Sequence, residues 1–189
     1  MVKISKSEMY QLKVTLDGIT PPIWRRLLLP ASISLKGLHD VLQKAMGWTN
    51  SHLHQFEAQG QIFGIPDPEV REATKSEART QLGEVLQREK DTMLYEYDFG
   101  DGWIHKIVLE QIGKAADGVA VSSCIGGARA CPPEDCGGPP GYEEFLTAVG
   151  DPSHLRHKEM TQWIGGPFDS DHFDVKQINK LLARRRRRG

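Results

Sequence analysis

No apolar run in this 189-residue chain approaches the roughly 18 residues that cross a bilayer, so a membrane-spanning class is not indicated. The opening residues, MVKISKSEMYQLKV, lack the apolar stretch and small-residue cleavage site of a secretory signal, and a cytoplasmic location is the expectation. Cysteine is scarce. Three copies, an odd count, argue against a disulfide framework and favour thiols or metal ligands. A dominant charge is lacking too: the formal net charge is −1, and since Arg184 to Arg188 contribute +5, the rest of the chain carries −6. A mildly acidic body does not present a broad basic face to nucleic acid. Nor is there a G-x-S-x-G nucleophile elbow, and GGPPGY lacks the spacing and strand-to-helix setting of a phosphate-binding loop.

What is present reads as a folded domain. Hydrophobic residues make up 39% and charged residues 26%, close to globular averages, so neither disorder nor staples are required. Tyr10, Leu12, Val14 and Leu16 alternate with polar residues, the period of a half-buried strand. This alternation and its breaks predict strands at 10–16, 23–29, 53–59, 93–98 and 103–110 in a single, mainly antiparallel sheet. Ser34 and Gly47 bracket a helix carrying Leu35, Leu38, Leu42, Ala45 and Met46 at helical spacing. Ile65 to Arg79 reads as an excursion, followed by a short helix at Leu82 to Leu86. Further helices are expected at Tyr142 to Val149, at Ser153 to Ile164, and after Asp174, giving a helix-rich C-terminal third. Strands first and helices last favour an α+β class, with helices packed on the sheet. The expected organisation is an N-terminal extension at 1–8, a domain at 9–182 and an Arg-rich tail at 183–189.

The stretch YEYDFGDGWIH carries more polar and aromatic residues than a turn needs. Asp101-Gly102 accounts for a hairpin turn by itself. Asp98 and His105 then fall at the same end of the hairpin, where a carboxylate and an imidazole serve a hydrogen-bond network, a ligand or a metal. His52 and His54, two apart in an expected strand, share a face and have a workable metal-ligand spacing, although H-x-H alone is a weak signal. Cys124, Cys131 and Cys136 lie in the segment CIGGARACPPEDCGGPPGY, read as irregular backbone. Zinc is one reading of these cysteines, with a further ligand from His154 or His157; thiols packed in a loop are a second, and a Cys131–Cys136 disulfide is a lesser third. Trp24-Arg25-Arg26 reads either as a stacking surface for nucleic acid or as a salt-bridged strand face.

PPIWRRLLLP, GWTNSHLHQF, LYEYDFGDGWIHKIVLE, ACPPEDCGGPPGYEEF and FDSDHFDVKQIN occur in this order over roughly Met9 to Leu182. Together they resemble the plasmid pRiA4b ORF-3-like family, whose members are also met as TnpR-like passenger proteins of transposable elements. The resemblance implies a roll-like α+β fold and an association with mobile elements, and it implies no activity.

Two functional classes follow. The first is a non-catalytic binding module for an unknown protein or small ligand. Its pocket is expected to be lined by Tyr97, Asp98, Asp101, Trp103, His105, Glu134 and Asp135, and its tail, Arg184, Arg185, Arg186, Arg187 and Arg188, to touch nucleic acid. The second is a metal-dependent hydrolase or nuclease-like enzyme, with zinc or another divalent metal held by His52, His54, Asp98, Asp101 and His105. The binding module ranks first because no nucleophile, cofactor fingerprint or complete ligand set can be read.

Overall fold

A computed structural model describes residues 4–5, 7–66, 74–115 and 121–183. The arginine run and residues 67–73 of the expected excursion lie outside the described residues. The eight strands are β1 (Glu8–Leu16), β2 (Trp24–Pro30), β3 (His54–Ala58), β4 (Gln61–Gly64), β5 (Lys75–Ser76), β6 (Thr92–Tyr97), β7 (Trp103–Lys114) and β8 (Ser123–Ala128). They form one mixed sheet in the order β5-β4-β3-β6-β7-β1-β2-β8. Every neighbouring pair is antiparallel except β4 with β5. The helices are α1 (Leu35–Met46), α2 (Leu82–Val85), α3 (Gly138–Gly150), α4 (His157–Ile164) and α5 (Val175–Ala183). Among the described residues no helix is long and apolar enough to cross a membrane.

The alternation seen in the sequence becomes a one-sided sheet. Leu12, Val14 and Leu16 of β1, Leu27 and Leu29 of β2, and Ile107 and Leu109 of β7 are fully or almost fully buried with the apolar stripe of α1. The opposite face stays polar: Arg26 pairs with Glu110 at 2.7 Å, and Gln11 donates to the same carboxylate. Ser34 caps α1 by accepting the Gly37 N–H, and Gly47 ends the helix in the left-handed region at φ 91°. Truncating one of these buried leucines to alanine costs about 2–5 kcal/mol.

Two expectations shift. The segment read as uniformly irregular contributes β8 at its start, paired with β2, and the first turn of α3 at its end. Prolines suit that first turn, since the amide hydrogen they lack has no partner there. Helix α4 begins at His157, later than the expected Ser153.

A polar network is sealed between α1 and the sheet. His39 is fully buried and meets Tyr95 Oη at 2.8 Å through Nδ1 and Asn50 Oδ1 at 2.7 Å through Nε2. Gln43 donates to the same phenol at 3.1 Å and accepts the Asn50 N–H. Asn50 Oδ1 can only accept, so His39 carries its proton on Nε2 and takes the Tyr95 O–H at Nδ1. The His39 ring stacks on His54 at 3.5 Å, and His54 Nε2 lies 2.7 Å from the buried Glu77 carboxylate. Burial opposes ionisation of Glu77, but the hydrogen bond and charge of His54 outweigh it and lower its pKa.

Burial, then the charge of His54, pushes His39 down to about 4, and burial does the same to His105. Unfolded, each imidazole protonates near 6.5, so between about 4 and 6.5 the unfolded chain binds more protons. Stability therefore falls as pH drops through that window, by up to about 1.4 kcal/mol per pH unit per group. His39→Gln keeps a donor and an acceptor and should flatten that slope by roughly one group's share. Urea midpoints between pH 4.5 and 7 test this, and equal slopes in the two proteins would contradict a neutral buried His39.

Candidate functional site

The stop of α1 at Gly47 delivers the next residues to one end of the sheet. Gly47 and Trp48 both donate their N–H to Gln43 O, at 2.9 Å each, which fixes the exit direction. Trp48 is nearly buried. Its ring stacks on Tyr97 at 4.9 Å and meets His105 edge-on at 5.3 Å, and its Nε1 donates to Pro132 O at 3.0 Å. One side chain thus touches the helix exit, the hairpin and the Gly/Pro loop.

The hairpin turn is longer than the sequence suggests. Tyr97 pairs with Trp103, so residues 98–102 all lie in the turn. Asp98 has φ 58° and Gly102 φ 67°, and the Gly102 N–H closes the turn on Asp98 O at 2.6 Å. Asp98 Oδ1 accepts the N–H groups of Gly100 and Asp101. Aspartate tolerates the left-handed region because its short side chain bonds the local backbone, which the Asp101-Gly102 pair alone did not reveal.

The loop at 131–137 closes over this end. Asp101 Oδ2 accepts the Gly137 N–H at 3.1 Å. A Cβ on Gly138 would sit 2.4 Å from Asp101 O, so glycine is what allows the two backbones to meet. Glu134 Oε1 accepts the Tyr97 O–H at 2.5 Å and the Thr49 N–H at 3.1 Å, and Thr49 Oγ1 donates to Oε2. Burial opposes ionisation of Glu134, but the bonds from Thr49 and Tyr97 outweigh it and hold its carboxyl below the ordinary value. Burial, then the bond to Glu134, raises the Tyr97 phenol well above its usual range.

Where the three segments meet, His52 Nε2 lies 3.1 Å from Asp135 Oδ1 and 3.5 Å from Asp98 Oδ2. Asp135 and Cys136 also border a cavity of about 280 Å³ whose far wall is Arg156, Glu159, Met160 and Trp163.

The structure thus gathers Tyr97, Asp98, Asp101, Glu134, Asp135 and His52. Trp103 and His105 stand behind them in the core; His105 Nδ1 faces the carbonyls of Tyr95 and Trp103 at 3.2 and 3.1 Å. His54 is not brought to His52: β3 starts at His54, whose nitrogen turns to Glu77. The cysteines do not join a ligand cluster either. Among the described residues His52, Asp98 and Asp135 are the one group of three or more potential ligands. Burial raises the thiol of Cys124 and pushes Cys131 up to about 11; burial and then Asp101 push Cys136 to about 12. His154 Nδ1 accepts the Arg156 N–H, and His157 Nδ1 lies against Ala148 O. Arg25 is buried on carbonyls and under Phe173, while Arg26 is paired with Glu110.

His39, Gln43, Asn50, Glu77 and Thr49 escaped the sequence reading. His39 and Gln43 are one helical turn apart on the stripe begun by Leu35, and that spacing was a usable signal. Nothing in the charged segment around Glu77 marked it for burial.

Three substitutions separate turn chemistry from loop docking. Gly138→Ala should destabilise by about 1–3 kcal/mol through the clash with Asp101 O. Gly102→Val meets open space and should cost on the order of 1–2 kcal/mol from backbone conformation alone. Asp98→Asn keeps an acceptor for Gly100 and Asp101 and suits the left-handed region, so it should cost less than either. Urea unfolding measures all three, and an Asp98→Asn variant as unstable as Gly138→Ala would contradict the turn assignment.

The profile of the family described as plasmid pRiA4b ORF-3-like protein matches residues 8–177. The uncharacterized protein y4hQ of Sinorhizobium fredii is 42% identical over 174 residues, 91% of this chain and 89% of that protein. The crystal structure of a protein of unknown function from Methanosarcina mazei Go1, MM3350, superposes with a TM-score of 0.81 at 36% identity, covering 91% of this chain and 98% of that one. A conserved-length match of this extent, on the fold just described, places the chain in the plasmid pRiA4b ORF-3-like protein family.

Proposed function

We propose that the chain is a non-catalytic binding module whose binding surface is the junction of residues 48–52, the turn at 98–102 and the loop at 131–137. The observation that carries this reading is the way the junction is built. Trp48, Tyr97 and Glu134 are fixed by packing and hydrogen bonds, while His52 and Asp135 are left at the mouth. Rigid supports behind exposed polar groups are what a recognition site needs. The adjoining cavity of about 280 Å³ has room for a small ligand or one peptide side chain. Burial raises the thiols of Cys131 and Cys136 and encloses His39 and His105, so among the described residues these groups are not poised as a nucleophile with its base.

A second reading, a metal-dependent hydrolase or nuclease-like enzyme, draws on the convergence of His52, Asp98 and Asp135. It ranks lower because the other carboxylates of the junction, Asp101 and Glu134, already dock the loop by accepting from Gly137, Thr49 and Tyr97. The association with mobile elements, with Arg184 to Arg188 touching nucleic acid, belongs to the same proposal.

Amide chemical shifts recorded while small acids, amines and peptides are titrated in should move at the three junction segments, with no turnover of DNA, RNA or phosphoesters. Shifts confined to other surfaces, or turnover abolished by Asp98→Asn, would overturn the reading. Duplex binding with the same salt slope after deletion of the arginines would remove the nucleic-acid part.

A further inference from the structure

We propose that His52, Asp98 and Asp135 bind one divalent transition cation, of the zinc or manganese type. The inference deepens the binding-module reading and rests on the junction being its binding surface.

The first observation is an orphaned atom. His52 Nε2 is shielded from solvent and has no hydrogen-bond partner, although two carboxylate oxygens lie 3.1 and 3.5 Å away. Both contacts fall within ion-pair distance, yet neither forms a hydrogen bond. An ordinary ion pair with a protonated imidazole would aim the N–H at one oxygen, and leaving a buried nitrogen unpaired costs about 1–3 kcal/mol.

The second observation is the spacing. Donor atoms each about 2.0–2.1 Å from a tetrahedral zinc are separated from one another by about 3.3 Å. The two measured separations, 3.1 and 3.5 Å, straddle that value, and all three donor atoms lie within 4.8 Å of one another.

The supports are in place. The Asp98 side chain is only 10% exposed, and its other oxygen is held by the N–H groups of Gly100 and Asp101. The His52 ring stands edge-on against Tyr97 at 5.8 Å. Fixed ligands of this kind raise metal affinity because little ordering remains to be done on binding. Asp135 is 71% exposed, so one side of the site stays open to water or to an anionic ligand. One imidazole with two carboxylates suits zinc, manganese or iron better than calcium or magnesium, which favour all-oxygen shells.

Calorimetric titration of the tag-free full chain with ZnCl2 and MnCl2, against CaCl2 and MgCl2, tests the proposal. One cation per chain is expected, with calcium and magnesium at least about 10-fold weaker. Asp98→Asn should weaken binding by at least about 10-fold and His52→Ala more, whereas His172→Ala, an exposed histidine outside the cluster, should not change it. Absence of saturable binding, or unchanged affinity in both cluster variants, overturns the cation site. If small ligands still shift the junction amides in that case, only the cation is lost. Cation binding at His52 accompanied by phosphoester hydrolysis upholds the cation and overturns the non-catalytic reading instead.

Discussion

The Trp48 indole is the contact on which the rest of the candidate site depends. Its ring fills the space between Tyr97 and His105, and its single polar atom fixes the Pro132 carbonyl. An aromatic ring supplies a large packing area with few rotamers, and the N–H adds direction. Through that pairing the helix exit, the hairpin and the Gly/Pro loop are set relative to one another. Glu134 and Asp101 then add bonds that only a loop already in place can make. The geometry of His52, Asp98 and Asp135 is a consequence, since each comes from a different one of the three segments.

Behind this contact the sheet and α1 supply rigidity, and they do so with an unusual polar insert. Asn50, held at φ 60°, belongs to the segment that carries His52, yet its side chain and amide close the ring formed by His39, Gln43 and Tyr95. The core network and the site therefore share a residue. Acid that protonates His39 removes the acceptor that Tyr95 uses and loosens the anchor of the segment bearing His52. Buried networks of this type are stabilising only while every member keeps its partner.

Much of the fold was legible because period and caps carry it. The alternation in β1, β6 and β7, the Ser34 and Gly47 brackets of α1 and the Asp174 cap of α5 each follow from a local rule. Strand β8 was hidden by its glycines. Gly127 is where the Phe173 ring presses on the backbone, so a residue chosen for close approach looked like a loop residue. The site was half legible: composition singled out Asp98, Glu134 and Asp135, but the pairing of His54 with Glu77 rather than His52 depends on the parallel β4–β5 contact, which no local pattern encodes. Asp98 as a left-handed turn residue was equally invisible, because Asp101-Gly102 offers a sufficient turn by itself.

The most direct test of the account is hydrogen exchange on Trp48→Phe, which keeps the ring packing and deletes the N–H bond to Pro132. If this contact organises the site, amides at 98–102 and 131–137 lose protection together, while those of β1 and β7 exchange as in the unaltered chain. Unchanged protection of the 131–137 loop would contradict the account and assign the docking to Glu134 and Asp101 alone.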